Sequence, residues 1–299
     1  MRYISKTFYV NKFKKFTLQK HPSIYRPSSL PFISGDTLRA YSDHIFDESK
    51  TLKPERVNKN DIVFVKTDLI DQFFGFYHKK IKNKYILLTH NSDKAITFNE
   101  IKYLDDKIIH WFAMKLDYPM NDKISPLPSG LENRRFLANG RVKNFNSILK
   151  NHSFKNKPKE NSILCSFNVH TNFDTRNSLL EQVRTDEKVQ IKKFNKNIEY
   201  LNALTNYKYI LCPEGNNFES HRIWESLIFG CTPILIKNNV NVNFNKIGVP
   251  MILLENWKML SEYSFDNLNE LNILNSEKNY LEFSTWKYWK ERIDSKIIY

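Results

Sequence analysis

A short polar stretch near the middle of the second half contains side chains suited to binding an anionic ligand. Glu225 follows His221 by four residues and Arg222 by three, a spacing that brings these side chains near one another on one side of a helix. A guanidinium can hold phosphate oxygens through parallel hydrogen bonds, and a carboxylate can accept hydrogen bonds. The plainer alternative is an exposed ion pair between Arg222 and Glu225, worth about a few tenths of a kcal/mol.

The residues on either side predict one helix between two buried strands. Apolar runs at 209–212 and 232–236 are bounded by Pro, Gly or Asn, as short buried strands are. Ser220 can cap the helix start and Gly230 can end it, which predicts a helix over 221–229. In an open parallel sheet, ligands bind beyond the carboxyl ends of the strands, where amides at the next helix start attract anions. The sequence therefore predicts a ligand site in this loop.

The same stretch resembles a known sequence motif. Cys-Pro-Glu-Gly-Asn at 212–216, His-Arg-Ile-Trp-Glu-Ser-Leu at 221–227 and Gly-Cys-Thr-Pro-Ile at 230–234 are similar to the donor-binding motif of exostosin-like glycosyltransferases. That family includes bacterial and large-virus members. A looser likeness to fucosyltransferases exists in the same region.

Three blocks upstream look like those that accompany this motif in the family. They stand at 26–39, 89–93 and 126–133, so the resemblance covers most of residues 20–260. It implies an α/β fold of the GT-B type, in which two Rossmann-like domains with parallel sheets face one another across a cleft. It also implies transfer of a sugar from a nucleotide diphosphate with inversion at the anomeric carbon.

The alternation of strand and helix patterns independently favours two such domains. Further strands are predicted at 61–66, 85–89, 108–112, 162–169 and 250–254, and helices at 98–107, 198–207 and 280–298. Lys, Asn and Pro158 cluster at 151–161 without apolar periodicity, which predicts a boundary there. We expect an acceptor-binding domain at 1–155, a donor-binding domain at 156–275 and, within 276–299, a helix that crosses back to the first domain.

The composition is that of a globular chain. Of 299 residues, 41% are hydrophobic and 26% are charged, which excludes a largely disordered chain. No apolar run approaches the roughly 18 residues of a membrane span, and the residues after Met1 lack the apolar core of a secretory signal. We therefore expect a cytoplasmic protein. Cys165, Cys212 and Cys231 lie in or beside predicted strands without metal-ligand spacing, so they are interpreted as core residues.

A formal charge of +14 favours a second class of function, nucleic-acid binding. Residues 11–20 mix Lys and aromatic side chains as such surfaces do. The lysines are nevertheless spread over the whole chain, as on solvated faces, so this class ranks second. A basic surface would equally suit an acidic glycan or peripheral contact with an anionic membrane.

The proton acceptor that an inverting transfer needs is assigned to the loop at 90–93. Asp93 follows a predicted buried strand, where a short carboxylate is held rigidly, and it is our first choice for the base. His90, with its near-neutral ordinary pKa, is the second. The alternative for Asp93 is a cap or Asx-turn before the helix expected near residue 98.

The leaving diphosphate is assigned to Arg176 and Arg222, each near the start of a helix after a predicted strand. The resemblance implies that Glu225 accepts hydrogen bonds from ribose hydroxyls. Other predicted donor-binding residues lie in the same loops: Glu214, Gly215, Asn216, His221, Asn168 and Asn172. On the acceptor side, Asp36 and Arg39 match the family-like block at 26–39, as acceptor contacts or as supports of the loop.

No metal ion and no other cofactor are expected. Manganese-dependent transferases hold the nucleotide sugar with an Asp-x-Asp on a loop, whereas the pair Asp105–Asp106 falls late in a predicted helix. The expected co-substrate is a UDP-sugar, with xylose, glucuronate and hexose left open, and the partner is a saccharide acceptor. A GDP-fucose-dependent enzyme is the nearest alternative.

Overall fold

Two parallel sheets of five strands each form the framework of the protein. The computed structural model describes residues 25–136, 139–151, 159–276 and 279–298. The first sheet has the order β1-β2-β3-β4-β5, with β1 His44–Phe46, β2 Ile62–Lys66, β3 Tyr85–His90, β4 Ile108–Met114 and β5 Ile124–Leu127. The second has the order β10-β9-β8-β6-β7, with β6 Glu160–Cys165, β7 Val189–Ile191, β8 Tyr207–Leu211, β9 Thr232–Ile236 and β10 Ile252–Leu254. The predicted α/β class with two parallel sheets is confirmed.

Helices connect the strands, as parallel pairing requires. They are α1 Gly35–Tyr41, α2 Ile70–Gln72, α3 Phe98–Ile101, α4 Val142–Lys150, α5 Phe173–Val183, α6 Asn197–Leu204, α7 His221–Ile228, α8 Asn239–Lys246, α9 Lys258–Glu262, α10 Phe265–Ser276 and α11 Trp286–Asp294. Short 3-10 turns and one π-helical turn, Phe73–Tyr77, extend α2 on both sides. Among the helices of the described residues, none is both long enough and apolar enough to cross a membrane.

The central strands are largely apolar because both faces of each sheet are covered. Along β2, Ile62 and Phe64 enter one core cluster, while Val63 and Val65 enter a second cluster on the opposite face. The first cluster continues into the second half, where Leu164 of β6 belongs to it. One continuous apolar core therefore joins the two sheets.

The C-terminal helix α11 contacts both halves of the molecule. The indole of Trp289 is fully buried against Trp224 of α7, with ring centroids 6.1 Å apart. Trp286 stacks edge-on against Tyr41 of α1 at 4.8 Å, and its backbone N–H donates to the carbonyl of Pro31 at 2.8 Å. These contacts tie the end of the chain to its first half.

Two predicted elements are shorter than expected because polar side chains bond to nearby backbone. The helix expected over 98–107 ends at Ile101, and the carboxylate of Asp105 accepts the N–H of Lys107 at 2.9 Å, which favours a turn. Asp105–Asp106 therefore lies in a turn and not in a helix. The strand expected over 162–169 ends at Cys165, and the side chain of Asn168 accepts the N–H of His170 instead.

Other boundaries moved by a few residues. The helix expected over 198–207 ends at Leu204, and Tyr207 already belongs to β8. The short strands β1, β5 and β7 were not predicted, since three or four residues carry little periodicity. The basic segment at 11–20 and most of the predicted boundary at 151–161 lie outside the described residues.

Candidate active site

The order of the second sheet creates a crevice between β6 and β8. The chain leaves β6 toward β7 on one side and reaches β8 on the other, so the connections after the two central strands diverge. Ligands in open α/β folds bind at such reversals, outside the carboxyl ends of the strands. Among the described residues, the strands of the first sheet follow one another in chain order, without such a reversal. The topology thus indicates the loops after Cys165 and Leu211, the last residues of β6 and β8, as the place of a ligand site.

The guanidinium of Arg176, on α5, lies buried in this crevice. Its Nε donates to the carbonyl of Glu214 at 2.8 Å and its Nη1 to that of Asn168 at 2.7 Å, which joins the two loops. Burial, and then the nearby charge of Arg222, lower the pKa of Arg176 to about 10. Arg176 is still a cation at neutral pH, with only neutral oxygens as partners.

Arg222, in the first turn of α7, reaches the same place from the other loop. Its Nε donates to the carbonyl of Ser166 at 2.9 Å. The guanidinium carbons of Arg176 and Arg222 lie 5.5 and 6.0 Å from the ring centroid of Phe167. Within the part of the chain that the structure describes, no carboxylate forms an ion pair with either arginine, so two positive charges stand together there without a direct ion-pair partner.

The loop after β8 is held close to Arg176. The carbonyl of Gly215 accepts a hydrogen bond from Asn172 Nδ2 at 3.0 Å, and a Cβ at Gly215 would lie 3.3 Å from Arg176 Nη2. Glu214 accepts a long hydrogen bond of 3.4 Å from Asn238. The side chains of Asn168 and Asn172 therefore hold the loops after β6 and β8 in shape. Glu214 and Gly215 form the part of the loop after β8 that lies beside Arg176.

His221 connects α7 to the first half of the molecule. Its Nδ1 lies 2.7 Å from the carbonyl oxygen of Gly130, so Nδ1 carries a proton and donates it. The preceding Ser220 stands at the helix N-cap, but its side chain makes no capping hydrogen bond.

Glu225 lies one turn further along α7 and is 7% exposed. Burial raises its pKa, while the charges of His221 and Arg222 oppose that rise. The carboxylate forms no ion pair with Arg222 among the described residues, so the simple i,i+3 pair is absent there. The Tyr200 side chain lies beside the carboxylate and also opposes the rise in its pKa, and the carboxylate has further acceptor positions for a ligand.

Asp93 lies across from these residues, on the loop after β3. Its Oδ1 accepts a hydrogen bond from Lys115 Nζ at 2.7 Å, and its Oδ2 lies 3.3 Å from Asn216 Nδ2 of the loop after β8. Burial alone would raise its pKa, but the hydrogen bond and charge of Lys115 outweigh burial and lower it. The side chain is 66% exposed. The cap of α3 is Thr97, so Asp93 does not have that structural role.

His90, the second candidate for the base, lies in a buried position. It is 3% exposed, its Nε2 donates to the carbonyl of Pro128 at 2.8 Å, and its Nδ1 accepts the N–H of Asn91 at 2.7 Å. Burial lowers its pKa to about 4. With both ring nitrogens engaged, His90 supports the loop and has no lone pair for a substrate proton.

Asp36 and Arg39 belong to a buried network behind that loop. Asp36 Oδ1 lies 3.2 Å from Asn91 Nδ2, and Asp36 N–H donates to Asn133 Oδ1 at 2.7 Å. Arg39 Nε pairs with Asp47 Oδ2 at 2.6 Å. Asp36 therefore supports the 90–93 loop through Asn91, whereas Arg39 bonds to Asp47 and Ser49.

Sequence reasoning missed Lys115 and Glu219. Lys115 directly follows β4, so the rule that ligands gather at the carboxyl ends of parallel strands would have found it. Glu219 accepts the N–H of Ser129 at 2.6 Å and the indole N–H of Trp224, joining the two halves. No sequence pattern predicts this role of Glu219, because its burial depends on how the two halves pack against each other.

No metal centre is visible among the described residues, where no three His, Cys, Asp or Glu side chains approach closely enough to hold an ion. Asp105 instead lies 2.9 Å from the imidazole of His78.

Comparison with known proteins connects the second half to a family. Residues 155–298, just under half of the chain, match the family model of the RXYLT1 C-terminal domain. No curated protein matches the chain. A crystal structure of the GtfA/B complex is 12% identical, with a TM-score of 0.37, and the match covers 81% of this chain and 58% of that chain. A crystal structure of TarM is also 12% identical, with a TM-score of 0.36, covering 79% and 51%. The chain thus spans little more than half the length of either.

Proposed function

We propose that this protein is an inverting glycosyltransferase that moves a sugar from a UDP-sugar to a hydroxyl group of a saccharide. The observation that carries the proposal is the pair of guanidiniums, Arg176 and Arg222, which lie at the reversal of the second sheet and form no ion pair among the described residues. Two adjacent cations repel each other, and a ligand with two negative charges, such as a nucleotide diphosphate, would relieve that repulsion.

The family match supports the same assignment. The matched range, 155–298, contains every residue to which donor binding was assigned, including Glu214 and Glu225. The family is of the exostosin-like xylosyltransferase type, which agrees with the resemblance of the 212–234 motif. UDP-xylose is therefore the first donor to test, followed by UDP-glucuronate and UDP-hexoses.

We propose a single chemical step, with Asp93 on one side of the site and Arg176 and Arg222 on the other. The acceptor oxygen forms a bond to the anomeric carbon while the bond from that carbon to the diphosphate oxygen breaks. Asp93 takes the hydroxyl proton, and an acceptor hydroxyl at Oδ2 would replace the weak 3.3 Å contact with Asn216. Arg176 and Arg222 stabilise the negative charge that develops on the leaving diphosphate. Attack opposite to the leaving group inverts the anomeric carbon.

The proposed reaction uses no metal ion, since two arginines and the first amides of α7 supply the positive potential. Transfer should persist in excess chelator. Loss of activity in chelator, restored by manganese, would contradict this part of the proposal.

Thermal unfolding with a panel of ligands tests the proposal directly. A ligand at about a hundred times its Kd adds about 2.7 kcal/mol to the free energy of unfolding. UDP should stabilise the protein more than GDP does. Greater stabilisation by GDP would favour a GDP-fucose enzyme, and stabilisation by oligonucleotides alone would favour the nucleic-acid-binding class.

A further inference from the structure

Lys115 is a buried lysine at the carboxyl end of β4. It is 4% exposed and has a left-handed backbone with φ of 54°. Its ammonium group donates to Asp93 Oδ1 at 2.7 Å and to the carbonyl of Ser92 at 3.0 Å. A buried ammonium is costly without close partners. Both of these side-chain hydrogen bonds end on the 90–93 loop, so the lysine fixes that loop relative to β4.

The same carboxylate is held from the second half of the molecule. Asn216 Nδ2 lies 3.3 Å from Asp93 Oδ2, and Asn217 Nδ2 donates to the backbone carbonyl of Asp93 at 2.7 Å. His221 of α7 adds a charge near enough to favour the ionised carboxylate. Asp93 therefore has Lys115 on one side and the loop after β8 on the other.

We infer that Lys115 is a positioning residue for the transfer reaction, which orients the Asp93 carboxylate toward the loop after β8. The inference rests on the proposed function, in which Asp93 is the base. By occupying Oδ1, the lysine leaves Oδ2 as the oxygen that meets the acceptor hydroxyl. Removal of the opposite charge raises the pKa of a carboxyl group, typically by about one unit or more. The acidic limb of the pH profile should then move to higher pH.

The experiment compares Lys115→Met and Lys115→Arg with the parent protein. We expect K115M to shift the acidic limb of kcat/KM upward by about one pH unit and to lower kcat roughly tenfold or more. KM for the donor should stay within about twofold, because the ammonium of Lys115 bonds to the 90–93 loop and not to the donor loops. K115R keeps the charge and should restore most of the pH profile.

Lys94→Met is the matched control, since it removes the same charge from the residue next to Asp93. Its Nζ pairs with Asp71 at 2.9 Å and lies 3.4 Å from Glu100, facing away from Asp93. We expect K94M to leave the pH profile unchanged. Repeating K115M in an H221Q background separates the effect of Lys115 from that of the His221 side chain.

A second readout does not depend on activity. Carbon-13 carboxyl NMR of aspartate-labelled protein, with the Asp93 signal assigned from D93N, should show the Asp93 pKa rising in K115M. An unchanged pKa and an unchanged pH profile in a folded K115M would overturn the role of Lys115. If D93N retains full turnover, Asp93 is not the base. If D93N is inactive but K115M keeps the parent pH profile, Asp93 remains the base and only the role of Lys115 is excluded.

Discussion

The Nδ1 of His221 and the carbonyl oxygen of Gly130 lie 2.7 Å apart, and this hydrogen bond joins α7 to the segment that follows β5. Two residues earlier, the carbonyl of Pro128 accepts the Nε2 hydrogen of His90. The segment at 128–130 therefore holds one histidine from each half of the molecule. It aligns the 90–93 loop with the helix that carries Arg222.

Gly130 should not tolerate a side chain. Its φ is 61°, and a Cβ would lie 2.3 Å from the backbone oxygen of Ile33. We expect Gly130→Ala to lower the free energy of unfolding by about 2 kcal/mol or more, because both backbone strain and a backbone clash oppose it. Urea denaturation measures the loss. Gly75→Ala is the control, since a Cβ there meets no atom within 4 Å; equal losses in both variants would contradict the steric argument.

Arg222→Met should weaken nucleotide binding without unfolding the protein. The substitution removes one cation and one hydrogen bond, to Ser166, so the loops keep their other contacts. We expect the Kd for UDP to rise about tenfold to a hundredfold, the usual range for a charge-assisted hydrogen bond of about 1.5–3 kcal/mol. Calorimetric titration provides the measurement. Arg184→Met removes an exposed arginine paired with Glu181 just after α5 and should leave the Kd unchanged.

Asp93→Asn should separate binding from chemistry. The amide keeps the shape of the side chain but cannot take a proton, so kcat should fall by about two to four orders of magnitude while UDP binding persists. Steady-state kinetics beside thermal shift distinguish the two effects. Asp71→Asn, which removes an exposed carboxylate paired with Lys94, serves as the control. Turnover of D93N near the parent rate would exclude Asp93 as the base.

Stability should fall between pH 6.5 and pH 5 because of two buried histidines. Burial lowers the pKa of His90 to about 4 and, with the charge of Lys296, that of His110 to about 3. The unfolded chain binds protons at these residues from its ordinary pKa near 6.5, so the stability that is complete above pH 6.5 is lost as pH falls. Each histidine should cost about 2 kcal/mol by pH 5.

Urea denaturation at pH 7 and pH 5 tests this expectation. His110→Gln, which keeps a polar side chain beside Ser125, should remove about half of the difference between the two pH values. A parent protein equally stable at both pH values would show that the two histidines are accessible to protons in the folded state.

The helix that carries Arg222 could be predicted almost to the residue. A serine at the N-cap position, a glycine with φ of 65° after the helix and apolar residues at helical spacing all act locally, and the observed helix is His221–Ile228. The same kind of reasoning was wrong about the length of the helix at 98–107. This helix ends at Ile101, because a side-chain hydrogen bond of Asp105 favours a turn over further helix.

The amino-acid sequence by itself determined the α/β class, the succession of the main strands along the chain and the residue types at the ends of those strands. These features follow from periodicity and from short-range turn chemistry, which act over a few neighbouring residues. The tertiary structure alone decided which of those residues meet. It buried His90 with both nitrogens engaged, brought Arg176 and Arg222 to one aromatic ring, and paired Asp93 with Lys115. Such contacts depend on sheet order and on the packing of the two halves, and no local pattern in a single sequence encodes either.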